Sequence, residues 1–212
     1  MSDTGRAGKV RIERRLMAAR HGSRMLDRKQ HILVEELERF ELRAERARAE
    51  WEEVAHEALL WLQRAAGLEG SARIESVATP DIAMVQIRWG NVMGVNYPEN
   101  PQCRLPAVPQ PGGSSALSYA VALHRKALEA GVRYAAVVRA EGLLAAEIAA
   151  TQTRQRAVED RWIPRLEEEL LDIHRKLDAL ELEEGLRLRW AADWNMAKAS
   201  TPALHARRNG GS

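Results

Sequence analysis

Hydrophobic residues recur along the first third of the chain at alternating steps of four and three. A mean spacing of 3.5 residues keeps one apolar seam facing a partner helix, whereas a lone surface helix follows a period of 3.6 residues. The pattern therefore predicts a coiled-coil helix. At 1.5 Å per residue it would extend for roughly 80 Å. Its seam positions, of which only Ser23 and Gln30 are polar, are Ile12, Leu16, Ala19, Ser23, Leu26, Gln30, Leu33, Leu37, Phe40, Ala44, Ala47, Trp51, Val54, Ala58, Trp61 and Ala65.

A second long helix is predicted to begin at Ser114 or Ser115, either of which is suited to cap it. Two consecutive steps of four residues, from Val158 to Trp162 and from Trp162 to Leu166, form a stutter that locally unwinds a coiled coil. Pro164 lies in this stutter, and proline removes a helical hydrogen bond, so we expect a bend or a loosened turn there. The predicted seam positions are Tyr134, Val137, Leu144, Ile148, Thr151, Gln155, Val158, Trp162, Leu166, Leu170, Ile173, Leu177 and Leu180.

The segment between the two helices changes period. Gly67 and Gly70 are expected to end the first helix after Ala66, because glycine adopts the left-handed cap conformation at little cost. Alternating apolar residues then predict a β-hairpin, with its turn at Gly90-Asn91 or at Met93-Gly94. Residues 98–115 are rich in proline and glycine, which predicts an exposed loop without helix or central strand.

These elements predict an all-α fold, a long antiparallel two-helix coiled coil with a small β-hairpin and loop region between the helices. Folding the helices back on each other is expected to place Ile12 near Trp194 and Ala65 near Gly142, which leaves 116–141 uncovered by the first helix. The predicted boundaries are a flexible arm at 1–10, a first helix at 11–66, a hairpin and loop region at 67–113, a second helix at 114–199 and a flexible tail at 200–212.

Charge is distributed unevenly along the predicted first helix. The first 31 residues carry nine Lys or Arg against three acidic residues, net +6, whereas 35–53 carry eight Glu and four Arg, net −4. Either the charges solvate the outer faces of the coil, or the basic end contacts an acidic partner. The whole chain has a net charge of only +2, and 1–39 contain no aromatic residue, so a nucleic-acid partner is not expected.

The sequence shows no recognisable catalytic or metal-binding motif. Cys103 is the single cysteine, and the six histidines show no His-Glu-x-x-His spacing. No run of about 18 apolar residues is present, and the N-terminus lacks an apolar signal core. We therefore expect no enzymatic activity, no cofactor or metal, no membrane insertion and a cytoplasmic location.

Three stretches carry a family resemblance. They are residues 14–37, then Asn91-Val92-Met93-Gly94-Val95 with Pro98, and then 151–164 followed by Leu166-Glu167-Glu168. In order and spacing they resemble the central-stalk D subunit of the V-type and archaeal-type rotary ATPases. Two departures stand out: Gln155-Arg156 replaces the family's Val-Asn, and Gly90 replaces its usual arginine, with Arg88 two places earlier.

The resemblance implies a rotor shaft without catalytic residues, peripheral to the membrane in a membrane-bound complex. The terminal helices of such a shaft enter the cavity of a hexamer of catalytic A and B subunits. Its other end connects through the F subunit of the stalk and a funnel-shaped subunit to the membrane ring. Its rotation couples transmembrane ion flow to ATP synthesis or hydrolysis.

The resemblance also assigns candidate contact residues. Trp51, Trp61 and Trp162 are interpreted as packing residues of the seam, and Tyr134 is either a contact or internal packing. The residues expected at the hexamer cavity are Arg11, Arg14, Arg15, Arg20, Arg24, Arg28, Lys29, Arg187 and Arg189. Those expected at the base of the stalk are Val85, Ile87, Trp89, Asn91, Met93 and Tyr134.

The alternative is a non-rotary coiled-coil scaffold or adaptor, which the composition alone permits. Such a protein has no reason to carry Asn-Val-Met-Gly-Val together with the pattern at 151–164. The shaft interpretation is therefore preferred.

Overall fold

The computed structural model describes residues 5–77, 81–107 and 112–208, with side chains to residue 196. The chain divides into two compact units. The middle unit comprises residues 25–154, and the terminal unit comprises 1–24 and 155–212. The elements are α1 (Arg6–Glu69), α2 (Ser71–Val77), β1 (Met84–Gln86), β2 (Trp89–Val92), β3 (Val95–Pro98), β4 (Gln102–Arg104), α3 (Ser115–Ala157), a π-helical turn (Val158–Trp162) and α4 (Ile163–Arg208).

The heptad prediction for α1 is confirmed. Every predicted seam position from Ile12 to Ala65 is buried or half-buried, including the polar Ser23 and Gln30. The residues between them are mostly exposed, as expected for a helix that packs along a single stripe.

Helix pairs run antiparallel within each unit, which confirms the predicted fold class. In the middle unit α1 packs on α3, and in the terminal unit α1 packs on α4. The contacts pair Leu33 and Phe40 with Ala140, Leu144 and Ile148, pair Ala58 with Leu123 and Ala127, and pair Ala65 with Ala116, Leu117 and Ala120. In the terminal unit they pair Ile12, Leu16 and Ala19 with Leu166, and Arg6 with Glu181.

The predicted register was wrong. Ala65 packs against the first turns of α3 and not near Gly142, and Ile12 packs with Leu166 and not near Trp194. The prediction paired the start of the first helix with the end of the second. In the structure, contacts between particular side chains determine the register instead. Trp51 stacks on Tyr134 with ring centroids 5.7 Å apart, and Trp61 stacks on Tyr119 at 5.1 Å. Residues 116–141 are consequently covered by α1.

The first helix begins and ends outside its predicted bounds. It begins at Arg6, inside the expected arm, where Lys9 lies 3.9 Å from Glu13 one turn later. It ends at Glu69 because Gly70, with φ of 81°, takes the left-handed conformation and donates its N–H to the Ala66 carbonyl at 3.0 Å. Gly67 stays helical.

At the start of α3 the Ser114 hydroxyl accepts the Leu117 N–H at 3.3 Å, so Ser114 is the cap. At the other end the backbone of α4 stays helical to Arg208, past the predicted boundary at 199, in a stretch rich in alanine that favours helix. Residues 1–4, 108–111 and 209–212, parts of the expected arm, loop and tail, lie outside the described residues.

The β-hairpin turns at the second of the two predicted positions. Met93 and Gly94 link β2 to β3 in a two-residue turn. Their φ values of 49° and 86° are both positive, as a tight hairpin turn of this kind requires. Val85, Ile87 and Trp89 do not share one strand, because the chain breaks between β1 and β2.

The sequence analysis missed α2 and β4. Strand β4 lies inside the expected loop at 98–115 and pairs antiparallel with β1. A two-stranded sheet has only edge strands, and edge strands tolerate neighbouring prolines.

The loosened turn expected near Pro164 is the π-helical turn. The Ile163 N–H donates to the Val158 carbonyl, five residues back instead of four. This turn moves Trp162 off the seam, so its interpretation as a packing residue was wrong. Trp162 is 47% exposed, and Ile163 packs in its place with Leu16 and Leu166.

Tyr97 holds the β2–β3 hairpin onto the helices of the middle unit. Its ring meets Phe40 edge-on with centroids 5.0 Å apart, in a cluster that includes Leu144. Burial raises the pKa of the Tyr97 hydroxyl. Gly90 lies opposite Tyr97 in the ladder, and a Cβ on Gly90 would lie 2.7 Å from the ring. The tyrosine ring therefore occupies the place that a side chain at position 90 would need.

Substituting Gly90→Ala is expected to lower the free energy of unfolding by about 1–3 kcal/mol, because the added methyl group displaces the Tyr97 ring from its packing. Urea unfolding followed by circular dichroism measures this change. Gly142→Ala is the matched control: a Cβ there meets nothing within 4 Å, and a helical alanine should raise stability by about 0.5–1 kcal/mol. Equal effects of the two substitutions would contradict the proposed anchoring.

Candidate partner-binding surfaces

Basic side chains cover the outer face of α1 in its N-terminal half. The basic residues of α1 that were predicted to contact the hexamer all lie off the seam, and all of them except Lys29 are exposed. The heptad repeat itself directs them outward, because a position between seam residues faces solvent. The terminal unit carries Arg11, Arg14, Arg15, Arg20 and Arg24 on α1 with Arg187 and Arg189 on α4, and the middle unit carries Arg28 and Lys29.

Some of these cations already have partners within the chain. Arg20 lies 2.7 Å from Glu167 across the helix pair, and Arg187 lies 2.6 Å from Glu183 one turn earlier on α4. Exposed ion pairs of this kind contribute little to stability and exchange readily with other partners. Such side chains therefore remain suited to an acidic surface.

Lys29 differs from the other predicted contact residues. Its ammonium lies 2.7 Å from Glu147 of α3, both side chains are about three-quarters buried, and Arg154 lies 3.2 Å from the same carboxylate. The hydrogen bond from Lys29, with that from Arg154, holds the pKa of Glu147 below its usual range. Lys29 thus joins the two helices of the middle unit.

The last part of α4 presents large apolar side chains that are about half exposed or more. Arg6 pairs with Glu181, and α1 begins at Arg6, so α4 continues without α1 beside it. Sequence reasoning missed this surface because it assumed a register that covered it. The exposed residues are Leu182, Leu186, Leu188, Trp190, Trp194 and Met196.

A second apolar surface surrounds the strands of the middle unit. Val85, Ile87 and Trp89 are exposed, as is Met93 at the turn, and Ile82 and Met84 extend the surface. Trp89 leaves 63% of its area exposed to solvent, which is costly for an aromatic residue without a partner.

Two of the predicted stalk-base residues have roles inside the chain. The Asn91 side-chain amide donates to Asn96 at 2.6 Å, and its oxygen accepts the Gly94 N–H at 3.3 Å, so Asn91 holds the hairpin turn. Tyr134 is half-buried against Trp51 on the helix pair, apart from the strands.

An apolar groove of 430 Å³ lies between α2 and α3 in the middle unit. Leu62, Ile74 and Leu117 line it, and His124 and Arg125 stand among its few polar lining residues. The His124 Nδ1 contacts the Ala120 carbonyl at 2.8 Å, and Arg125 donates to the Pro106 carbonyl at 2.7 Å. No sequence pattern signals this groove, because it depends on α2.

The described part of the chain holds no group of three His, Cys, Asp or Glu side chains placed to bind a metal ion. None of its helices has the length and hydropathy needed to cross a bilayer. Paired heptad helices with exposed basic and apolar surfaces define a coiled-coil protein whose surfaces suit contacts with other proteins.

Comparison with known proteins identifies the family. The sequence profile of the ATP synthase D subunit matches residues 9–193. The D subunit of the V-type ATP synthase of Thermotoga neapolitana is 31% identical over 87% of this chain and 93% of its own length. The D subunit of the A-type ATP synthase of Thermococcus kodakarensis is also 31% identical, over 85% of this chain and 88% of its own. The chain belongs to the D-subunit family of ATP synthases, which confirms the resemblance carried by the three stretches.

Replacing Lys29 by methionine is expected to lower the free energy of unfolding at pH 7 by about 1 kcal/mol, because Glu147 loses its closest charged donor. The pKa of Glu147 is lower in the folded chain than its ordinary 4.5. The pair therefore stabilises the fold above that value and loses its contribution as the pH falls through the lowered pKa. Between about pH 5 and pH 3 the variant should lose less stability than the wild type does.

Urea titrations of the wild type and the variant at about pH 5 and about pH 3 measure how much stability each loses. Arg48→Met serves as the control, because Arg48 pairs with Glu52 at 2.7 Å on an exposed face of α1. It should change neither the stability nor its pH dependence appreciably. A Lys29 variant with the wild-type pH profile would rule out this ion pair as a stabilising contact.

Proposed function

We propose that this chain is the central shaft of a V-type or A-type rotary ATP synthase, coupling rotation driven by transmembrane ion flow to ATP synthesis or hydrolysis. The observation that carries the proposal is the family match over residues 9–193, on a chain whose helices pair along a heptad seam. Paired helices resist bending and twisting better than a single helix does, and transmission of torque requires this resistance. The shaft itself has no catalytic role.

The hexamer of catalytic A and B subunits is the proposed partner of the terminal unit. Its exposed arginines suit acidic side chains, and the uncovered part of α4 supplies Leu182, Trp190 and Trp194 for apolar contacts. Burying one large apolar side chain contributes about 1.5–3 kcal/mol. Apolar contacts would hold the shaft in place while exposed charges exchange partners during rotation.

The apolar surface of the middle unit is the proposed contact for the F subunit and the funnel-shaped subunit. Val85, Ile87 and Trp89 offer area at the strands, and Met93 projects from the turn. Asn91 would support this contact indirectly, by holding the hairpin turn. Tyr134 would support it through its stacking on Trp51. With such contacts the chain would work in the cytoplasm, at the membrane surface but outside the bilayer.

Reversing the charge of Arg14, Arg15 and Arg24 to glutamate together tests the hexamer contact. All three are exposed on α1. Affinity for the A/B hexamer of the same organism should fall on the order of tenfold or more, since each reversal replaces an attraction by a repulsion. Co-elution and ATPase activity are measured together, and the wild-type affinity should fall with added salt.

The matched control reverses Arg46, Lys126 and Arg139, which are exposed on the middle unit. It makes the same change of net charge and should leave hexamer binding near the wild-type value. If neither triple variant alters binding, the basic face is not the contact. If the wild-type chain does not bind an intact hexamer, the shaft proposal itself fails.

The double substitution Ile87→Ser and Trp89→Ser tests the stalk-base surface. It should weaken binding of the F subunit or the funnel-shaped subunit at least about tenfold, because the apolar area of two side chains is lost. Hexamer binding should not change. Leu42→Ser removes a side chain that is 56% exposed on α1 and should leave both interactions intact. Unchanged binding of both stalk partners to the double variant would contradict the assignment.

A further inference from the structure

The seam of the terminal unit contains one residue more than its heptad repeat accommodates. Leu166 follows Val158 by eight positions, whereas equivalent positions of the repeat are seven apart. The π-helical turn absorbs the additional residue, because its hydrogen bond from Ile163 to Val158 spans five residues. Ile163 is thereby brought onto the seam with Ile12 and Leu16.

A second arrangement of the same residues satisfies the same seam. If the turn were regular α-helix, a four-residue step from Val158 would place Trp162 on the seam, and a further step of four would reach Leu166. The additional residue would then be spread over several turns as local unwinding. In the structure Trp162 is instead 47% exposed, so about half of its large apolar surface stays in contact with solvent.

Specific polar contacts hold the π form. Glu159 lies within the turn and accepts hydrogen bonds from the Ser23 hydroxyl and, at 3.1 Å, from the Gln155 amide. Ser23 is only 7% exposed on the seam of α1, so its hydroxyl fixes the first residues of the turn. Pro164 has no N–H and its ring clashes with the preceding turn, which further disfavours a tight α-helical turn there.

We propose that Trp162 and Ile163 compete for one seam position, so that the π turn is a two-state element. In one state Ile163 is half-buried on the seam and Trp162 is half-exposed at the surface, and in the other Trp162 takes the seam position and Ile163 is displaced. A partner that contacts the exposed Trp162 would favour the first state, because a ligand stabilises the conformation that it binds. The inference does not depend on the shaft function, since it concerns the isolated chain.

Fluorine NMR of the full chain labelled with 5-fluorotryptophan tests the proposal. The Trp162 resonance is assigned by its absence from the Trp162→Phe variant. A soluble gadolinium chelate broadens resonances of exposed side chains, so the wild-type Trp162 signal should broaden strongly. In Ile163→Gln the polar side chain disfavours the first state, and the broadening of the Trp162 signal should fall severalfold.

Two further variants separate competition from general loosening. Ile173→Gln introduces the same polar group into the same apolar cluster, and Trp162 should remain as broadened as in the wild type. Deleting the exposed Arg161 places Ile163 four positions after Val158 and removes the additional residue. That variant should keep its helix content, unfold at no lower temperature than the wild type and keep Trp162 exposed.

Three outcomes would overturn the proposal. The first is a Trp162 signal in Ile163→Gln that broadens as in the wild type or is lost through unfolding. The second is equal protection of Trp162 in Ile173→Gln. The third is a deletion variant that loses helix content or unfolds at lower temperature, because the additional residue would then be required by the fold instead of being stored in the turn.

Discussion

The apolar seam of α1 is the contact on which the rest of the structure depends. It supplies one face of the packing in both units, against α3 in the middle unit and against α4 in the terminal unit. Each helix buries a single stripe against its partner helix, so most of the remaining helix surface is left to solvent or to partner proteins. The large apolar residues exposed on α4 and around β1 and β2 follow from this limited burial, and they suit a protein that works inside an assembly.

The face that α1 buries is predictable from the sequence, whereas its pairing is not. Heptad periodicity is a local property and selects Leu33, Phe40 and Ala58 without reference to a partner. A seam shifted along its partner by whole heptads still buries apolar residues on both sides, so the pattern leaves several registers nearly equivalent. Side chains of unusual size or polarity remove the equivalence. The stacking of Trp51 on Tyr134 and the pairing of Lys29 with Glu147 are satisfied in one register only.

The candidate partner-binding surfaces also include features that the sequence predicts and features that it does not. Exposure of the arginines on α1 follows from their heptad positions and was predictable, but the uncovered apolar part of α4 depends on register and was missed. Helix α2 and strand β4 have only seven and three residues, and segments this short form only in a tertiary context that propensity does not describe. The groove between α2 and α3 was therefore beyond prediction, and so was the internal role of Asn91.

The polar residues on the seam help to select one register. The Gln155 amide donates to Glu159 in the π turn. Together with the Ser23 hydroxyl it holds the pKa of Glu159 below its usual range, so the carboxylate stays charged and keeps accepting both hydrogen bonds. A polar group on a seam weakens apolar packing but discriminates between registers, because an incorrect register leaves the group without its partner. In this chain that discrimination acts at the turn where the heptad repeat is broken.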